Sequence, residues 1–150
     1  MKKSKNTSMK SQNRKKRAST RIRQVQDKLN SGNSRHHVNT FLEKYFLSEI
    51  ATKEMLVGYQ TAKGEHLEYG KAEMHYDDIK NAFKHYNLGL SEELIKRLYL
   101  GKAPKGVKRS AKKLRDSLVH GMTVQNITEV DDRYNQLITD LDAFLKVSKS

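Results

Sequence analysis

The sequence predicts an all-α protein, an antiparallel bundle of four to five helices that follows a largely disordered basic arm. Apolar residues recur at helical spacing through residues 36–150, and no segment alternates as strands do. The formal net charge of +13 is concentrated at one end, since residues 1–35 hold twelve Lys or Arg and one acidic residue, against eighteen and sixteen in residues 36–150. Of the 53 hydrophobic residues, 47 lie in the second part, enough to bury a core.

The arm divides into two parts. Residues 1–19 are mostly Lys, Arg, Ser, Asn and Gln, so ordering them would cost backbone entropy that no core offsets. Residues 20–30 place apolar side chains at helical spacing: Ile22, Val25 and Leu29. We therefore predict a disordered segment, a short amphipathic helix at residues 20–30 that is marginal alone, and a domain boundary at residue 35.

The first helix of the domain is predicted to be the longest, from about residue 38 to residue 62. Its apolar stripe comprises Val38, Phe41, Leu42, Tyr45, Phe46, Ile50, Met55 and Leu56. After a polar connection, Asp77 and Asp78 stand where an N-cap and a first-turn acid belong. They predict a second helix that ends at Gly89.

Three further helices are predicted towards the C-terminus. Ser91 caps a short one, which stops before the loop that contains the only proline. The fourth covers residues 107–120, with Gly121 as its C′ residue. The fifth begins at Thr128, because Asp131 three residues later resembles a capping box, and it continues to the C-terminus.

Composition excludes several classes of protein and site. No stretch approaches the about 20 apolar residues of a membrane helix, and no apolar segment follows the basic N-terminus as in a secretory leader. The absence of Cys excludes disulfides and Cys nucleophiles and fits a reducing compartment. The His residues outside residues 112–121 show no metal-ligand spacing. We expect a cytoplasmic protein with neither a metal nor a cofactor.

One segment carries a chemical motif, KKLRDSLVHG at residues 112–121. Within it, Arg115 is followed directly by the polar Asp116, and His120 closes the motif before a glycine. This pattern, late in an all-helical domain and followed by an amphipathic helix, resembles the HEPN family over about residues 36–147. The resemblance implies a metal-independent ribonuclease that acts as a homodimer, with Arg115 and His120 catalytic at a cleft shared by the two subunits.

The residue types suit that chemistry. An imidazole takes or gives a proton near neutral pH, and a guanidinium holds phosphate oxygens and offsets developing negative charge. At 100° per residue Arg115 and His120 lie about 140° apart on a straight helix, so either the helix breaks near His120 or a second subunit completes the site. Asp116 and His120 are four residues apart, which predicts that Asp116 orients the imidazole.

Two basic groups are candidate RNA contacts. One leads into the motif and the other lies in the arm: Lys108, Arg109, Lys112 and Lys113, and Arg14, Lys15, Lys16 and Arg17. A run of this kind is also typical of a solvated helix face. The arm group has three further interpretations, as a localisation signal, a solubilising segment or a docking site for an acidic partner.

The sequence therefore predicts an RNA-binding, HEPN-like endoribonuclease, of a kind that often serves as a toxin or in phage defence under an antitoxin or another controlling partner. The alternative is a non-catalytic RNA-binding module in which the motif residues are structural. Arg115 is then a surface charge, Asp116 pairs with Lys112 or Lys113, and His120 caps its helix. A third possibility is a DNA-associated protein that binds through its arm.

Overall fold

The computed structural model describes residues 2–149 of the chain, and the side chains of residues 9–149. Met1 and Ser150, which the predicted arm and domain include, lie outside the described residues. Within residues 2–149 six α-helices follow one another: α1 Lys2–Leu29, α2 Ser34–Ala62, α3 Tyr76–His85, α4 Glu92–Tyr99, α5 Ala111–His120 and α6 Val124–Ser148. A single 3₁₀ turn lies at Tyr69–Lys71. Residues 2–149 contain no strand, which confirms the all-α prediction.

The predicted disorder of the arm is not confirmed, because α1 runs without interruption from Lys2 to Leu29. Residues 1–31 contain neither glycine nor proline, and they are rich in the good helix formers Lys, Arg and Gln. The side chains of residues 9–24 are all exposed, whereas Val25 and Leu29 pack against the core. The short helix expected at residues 20–30 is thus the bundle-contacting end of a much longer one.

A cluster around Asp131 attaches α1 to the bundle. The Asp131 carboxylate accepts hydrogen bonds from Ser34 Oγ at 2.6 Å and from His37 Nδ1 at 2.9 Å, and Lys28 Nζ lies 3.1 Å away. These contacts join α1 and α2 to α6. Burial raises the pKa of Asp131, but its hydrogen bonds with Ser34, His37 and Lys28 outweigh burial and hold the pKa below its ordinary value.

Replacing Asp131 tests this attachment. A pKa that is lower in the folded state gives stability that is present above the unfolded-state pKa of about 3.9 and is lost as the pH falls through the folded-state pKa. We expect Asp131→Asn to lower the free energy of unfolding by about 1–3 kcal/mol at pH 7 and to weaken its dependence on acid below about pH 4. Urea unfolding at several pH values measures both effects. The control, Asp142→Asn, removes a half-exposed partner of Lys44 and should change little.

The two longest helices of the bundle, α2 and α6, run parallel. Ser34 and His37 near the start of α2 contact Asp131, and Lys44 further along α2 pairs with Asp142 further along α6. The antiparallel arrangement predicted for the bundle therefore does not extend to this pair. The reason is that three helices, α3 to α5, return the chain to the starting end of α2 before α6 begins.

The core lies between α2, α6 and the shorter helices. Its largest side chains include Tyr45 of α2, Phe83 of α3, Tyr99 of α4 and Phe144 of α6. The Tyr99 hydroxyl donates to Ser48 Oγ at 3.0 Å and lies 2.8 Å from Thr52 Oγ1. Burial raises the pKa of Tyr99 to about 12 although both hydrogen bonds act in the opposite direction. In the part of the chain that the structure describes, no helix combines the length and apolar character needed to cross a bilayer.

Several helix boundaries differ from those predicted. Asp77 and Asp78 both lie in the first turn of α3, whose N-cap is His75. That helix ends at His85 rather than at Gly89. At its C-terminal side Asn87 takes a left-handed conformation with φ 54°, so the chain turns there two residues before the glycine. The predicted N-cap of α4, Ser91, is confirmed, since its hydroxyl accepts the Leu94 amide hydrogen bond at 3.1 Å.

Candidate active site

The motif residues lie on α5, which is shorter than predicted because Ser110 caps it. The Ser110 hydroxyl accepts a hydrogen bond from the Lys113 amide at 3.2 Å and donates to the Leu100 carbonyl at 2.6 Å. Both bonds are satisfied only if the helix starts at Ala111, not at residue 107. On its inner face Leu114 and Leu118 are buried, so the faces that carry the motif residues are fixed by core packing.

Arg115 lies against α2. Its guanidinium carbon is 5.0 Å from the ring centroid of Tyr45 and 5.3 Å from that of Phe46. Nη2 donates to Glu49 Oε1 at 2.9 Å, and Nη1 donates to Asp116 Oδ1 at 2.8 Å. The side chain is 17% exposed and its buried Nε has no hydrogen-bond partner among the residues that the structure describes. Arg115 is thus a fixed cation between two carboxylates, not a mobile surface charge.

Asp116 contacts Arg115 rather than His120. Its carboxylate accepts the Arg115 hydrogen bond, and among the described residues no hydrogen bond joins it to the imidazole. Nor does it form an ion pair with Lys112 or Lys113 in this part of the chain. The contact with the His120 imidazole that was predicted for Asp116 is therefore not present among the described residues, and Asp116 contacts the guanidinium instead.

His120 is exposed at the last residue of α5 and lines an open groove of about 640 Å³. The polar and charged residues that share this groove are Lys102, Arg109, Lys113, Asp116 and Ser117. Arg115 does not line it, because its side chain turns towards α2. The structure thus places the two predicted catalytic residues on different faces of α5, as the angle of about 140° between them requires. Asp116 lies between these faces, since it accepts a hydrogen bond from Arg115 and also lines the groove that contains His120.

A polar network that the sequence did not suggest holds the turn after His120. Asn126 Nδ2 donates to the Gly121 carbonyl at 3.0 Å and to the Ser117 carbonyl at 3.4 Å. The guanidinium of Arg109 donates to Ser117 Oγ at 2.6 Å, and to Asn126 Oδ1 and Glu129 Oε2 at 3.1 Å each. Both Asn126 and Glu129 lie near the start of α6, and only a capping pattern at Thr123 could have indicated that α6 begins early enough to place them there.

Removing the Asn126 amide is expected to loosen this turn. Asn126→Ala removes the side-chain donor of the Gly121 carbonyl, one of the two donors to the Ser117 carbonyl and the acceptor of one Arg109 hydrogen bond, so the free energy of unfolding should fall by about 1–3 kcal/mol. The Gly121 amide, which donates to Ser117 O, should exchange its hydrogen faster. Urea unfolding and amide exchange measure these changes. The matched control Asn135→Ala alters an exposed position of α6 and should leave both quantities unchanged.

The predicted RNA-contacting cations lie in two separate places, and they differ in whether they form an ion pair with a described residue. Lys108, Lys112 and Lys113 lie at or before the start of α5 with no ion pair among the described residues, whereas Arg109 is held by Glu129. The arm group lies fully exposed on α1: Arg14, Lys15, Lys16 and Arg17. Within the range of described residues, no group of three His, Asp or Glu is arranged to hold a metal ion.

Comparison of the chain with protein-family models, with curated proteins and with solved structures yields no match. The resemblance of residues 36–147 to the HEPN family therefore depends on the segment around Arg115 and His120 and on its all-helical surroundings. The chemistry of the site follows from its own residues: an exposed imidazole in a cationic groove and a fixed guanidinium one face away.

Proposed function

We propose that the protein is a metal-independent endoribonuclease of the HEPN type. One observation carries the proposal: an exposed imidazole, His120, lines a groove together with Lys102 and Lys113, and Asp116 connects that groove to the guanidinium of Arg115. Cations around an exposed imidazole attract a polyanion and place a proton-transfer group beside it.

In the proposed reaction the RNA 2′-hydroxyl attacks the adjacent phosphorus atom. The new P–O bond forms as the bond to the 5′-oxygen breaks, which leaves a 2′,3′-cyclic phosphate on one product and a 5′-hydroxyl on the other. His120 moves a proton, from the attacking hydroxyl or to the leaving oxygen, and Arg115 offsets the charge that grows on the phosphate oxygens. DNA lacks the 2′-hydroxyl and is not a substrate for this step.

Arg115 must exchange a partner to take part. Both of its terminal nitrogens already donate to carboxylates, and of these two only Asp116 lines the groove. A phosphate held between two subunits replaces Asp116 on Nη1, while Glu49 and the rings of Tyr45 and Phe46 keep the guanidinium in place. Asp116 thus acts as a stand-in for the phosphate in the unliganded protein.

A second subunit completes the site in this proposal. Three large apolar side chains are exposed on the two helices that hold Arg115: Phe46 at 41%, which contacts Arg115, and Ile50 at 51%, which follows its partner Glu49 on α2, and Val119 at 54%, one turn after Arg115 on α5. Pairing these surfaces across a two-fold axis buries them and brings the Arg115 face of one subunit towards the other. A homodimer also resolves the angular separation of Arg115 and His120 within one chain.

The remaining cations and the cellular role follow from the same proposal. Lys108, Lys112 and Lys113 steer RNA towards the groove by sequence-independent attraction, and the arm cations on α1 contribute only long-range attraction to it. Because such a ribonuclease needs no metal ion, the availability of metal does not regulate its activity. Control by a partner such as an antitoxin is consistent with this. We infer a cytoplasmic toxin or phage-defence effector that cuts RNA to halt growth.

Incubation with end-labelled single-stranded RNA in EDTA tests the proposal. We expect cleavage with 2′,3′-cyclic phosphate and 5′-hydroxyl ends, and no cleavage of the all-deoxy strand of the same sequence. Ends bearing a 5′-phosphate, or cleavage only when magnesium is added, would contradict the mechanism.

A non-catalytic RNA-binding module is the second candidate function. The pairing of Arg115 with Glu49 and Asp116 and its contacts with Tyr45 and Phe46 favour it, because a guanidinium held in this way also has a purely structural use. In that case RNA is bound and remains intact, and Arg115→Ala lowers the stability of the fold without any change in RNA affinity.

A further inference from the structure

The helix α1 is a basic rod whose outer part makes no contact with the bundle core. It contains eleven Lys or Arg and one acidic residue, Asp27, within 28 residues, a length of about 42 Å at 1.5 Å per residue. All side chains of residues 9–24 are exposed. The exposed part of this helix buries no surface in the monomer, and its high density of positive charge favours binding to a polyanion.

The cations are not spread evenly around the rod. With Asn13 as the reference direction, Thr20 and Gln24 lie within about 20° of it, and they form an uncharged polar strip. On one side, at about 40–100°, runs a row made of Lys10, Arg14, Arg17 and Arg21. On the other side, at about 60–80°, lie Lys16 and Arg23. Over residues 10–24 the strip is therefore flanked by cations on both sides, and the one acidic residue, Asp27, lies beyond this stretch at the end of α1 that meets the bundle.

The bundle leaves this strip accessible. Val25 and Leu29, through which α1 packs against the core, lie about 120–160° from the Asn13 direction. Lys28, which pairs with Asp131, lies about 60° from it. The strip thus lies to one side of the side chains that meet the bundle, and the Asp131 cluster with Lys28 and Ser34 holds the end of the rod in that orientation. A long partner can lie along the strip without meeting the bundle.

Two flanking rows around a polar strip match the major groove of B-form DNA. That groove is about 12 Å wide and admits one α-helix, its walls carry phosphates on both sides of the helix, and its floor presents base edges to amide and hydroxyl groups. The major groove of an A-form RNA duplex is too deep and narrow for this. A membrane surface requires an apolar face, and the described part of α1 exposes only two large apolar side chains, Met9 and Ile22.

We propose that α1 binds duplex DNA, lying in the major groove with Asn13, Thr20 and Gln24 towards the bases and the two cationic rows towards the phosphates. This site uses none of the residues of α5. Its presence or absence is independent of whether the protein cleaves RNA.

The salt dependence of binding tests the assignment. The full chain is titrated with a labelled 20-base-pair DNA duplex over a range of salt concentrations, by fluorescence anisotropy. Each lost phosphate contact reduces the slope of log K against log salt by about 0.9. We expect the fourfold variant Lys10→Gln, Arg14→Gln, Arg17→Gln, Arg21→Gln to reduce the slope by about 3–4. The matched control removes four exposed charges from the bundle, by Lys63→Gln, Lys84→Gln, Lys105→Gln and Lys149→Gln, and should keep the slope.

RNA provides the competing outcome. We expect the DNA duplex to bind at least ten times more tightly than an RNA duplex or a single-stranded RNA of the same sequence at equal salt. RNA binding as tight as DNA binding would overturn the proposal, and so would an equal loss of slope in the α1 variant and its control. Circular dichroism verifies that both variants fold, since glutamine is also a good helix former.

Discussion

His120→Ala is expected to abolish RNA cleavage while RNA binding and stability are unchanged. His120 is exposed at the end of α5 and has no hydrogen bond within the described chain, so its removal leaves no buried group without a partner. Proton transfer by a positioned side chain contributes about 10²–10⁴-fold to a rate, and the initial rate should fall by at least that lower bound. Single-turnover cleavage of labelled RNA in EDTA, beside filter binding, measures the two effects separately.

The matched control for this experiment is His75→Ala. His75 is also exposed, but it lies before α3 and contacts Glu73. The His75→Ala variant should cleave RNA at the wild-type rate. If His120→Ala retained the wild-type rate, the α5 groove would not be the active site, and any remaining activity would belong to a different part of the chain or to a contaminant.

Ile50→Glu is expected to convert a dimer into monomers and to abolish cleavage with it. The substitution places a charge in the exposed apolar surface around Arg115, where a partner subunit would have to bury it without compensation. The dimer dissociation constant should rise by at least 100-fold, which corresponds to about 2.7 kcal/mol. Sedimentation velocity over a range of protein concentrations measures it, and the cleavage assay is run on the same samples.

Leu47→Glu is the control for the dimer prediction. Leu47 is 45% exposed on the same helix, comparable with Ile50 at 51%, but it faces Asp142 and Leu145 of α6. This variant should remain dimeric and active. A wild-type protein that is monomeric and cleaves RNA would contradict the shared site.

Mixing two inactive variants tests whether the subunits share residues. If Arg115 of one subunit acts with His120 of the other, a heterodimer of Arg115→Ala and His120→Ala contains one intact pair. Mixed subunits should then recover part of the wild-type rate, and neither variant should do so alone. No recovery in a mixture that contains heterodimers would place both residues of each site in one chain.

The local features of this fold were predictable because they depend on neighbours along the chain. Apolar spacing places a helix over residues 38–62 and another towards the C-terminus, and the N-cap Ser91 is where the sequence predicts it. Core positions such as Tyr45 and Leu114 follow from the same periodicity. The predicted helix ends are less accurate, because Ser110 and Thr123 cap α5 and α6, whereas the sequence predicts that these helices begin at residue 107 and at Thr128.

The disorder predicted for the first part of the arm is not confirmed, and that prediction considered only the surface that a core could bury. Residues 9–24 bury nothing, yet the helix continues through them, since no glycine or proline interrupts a sequence with good intrinsic helix propensity. The distribution of cations around that helix was present in the sequence. It acquires meaning only once the chain is helical and Val25 and Leu29 are known to face the bundle.

By itself the sequence determined the helical class, the apolar stripes and the identity of the residues in the motif. Only the tertiary structure decided what those residues contact. Arg115 pairs with Glu49, 66 positions away, and Arg109 pairs with Glu129, 20 positions away. The physical reason is that periodicity and capping are local, whereas ion pairs between helices depend on the rotation and register that core packing imposes on α2, α5 and α6.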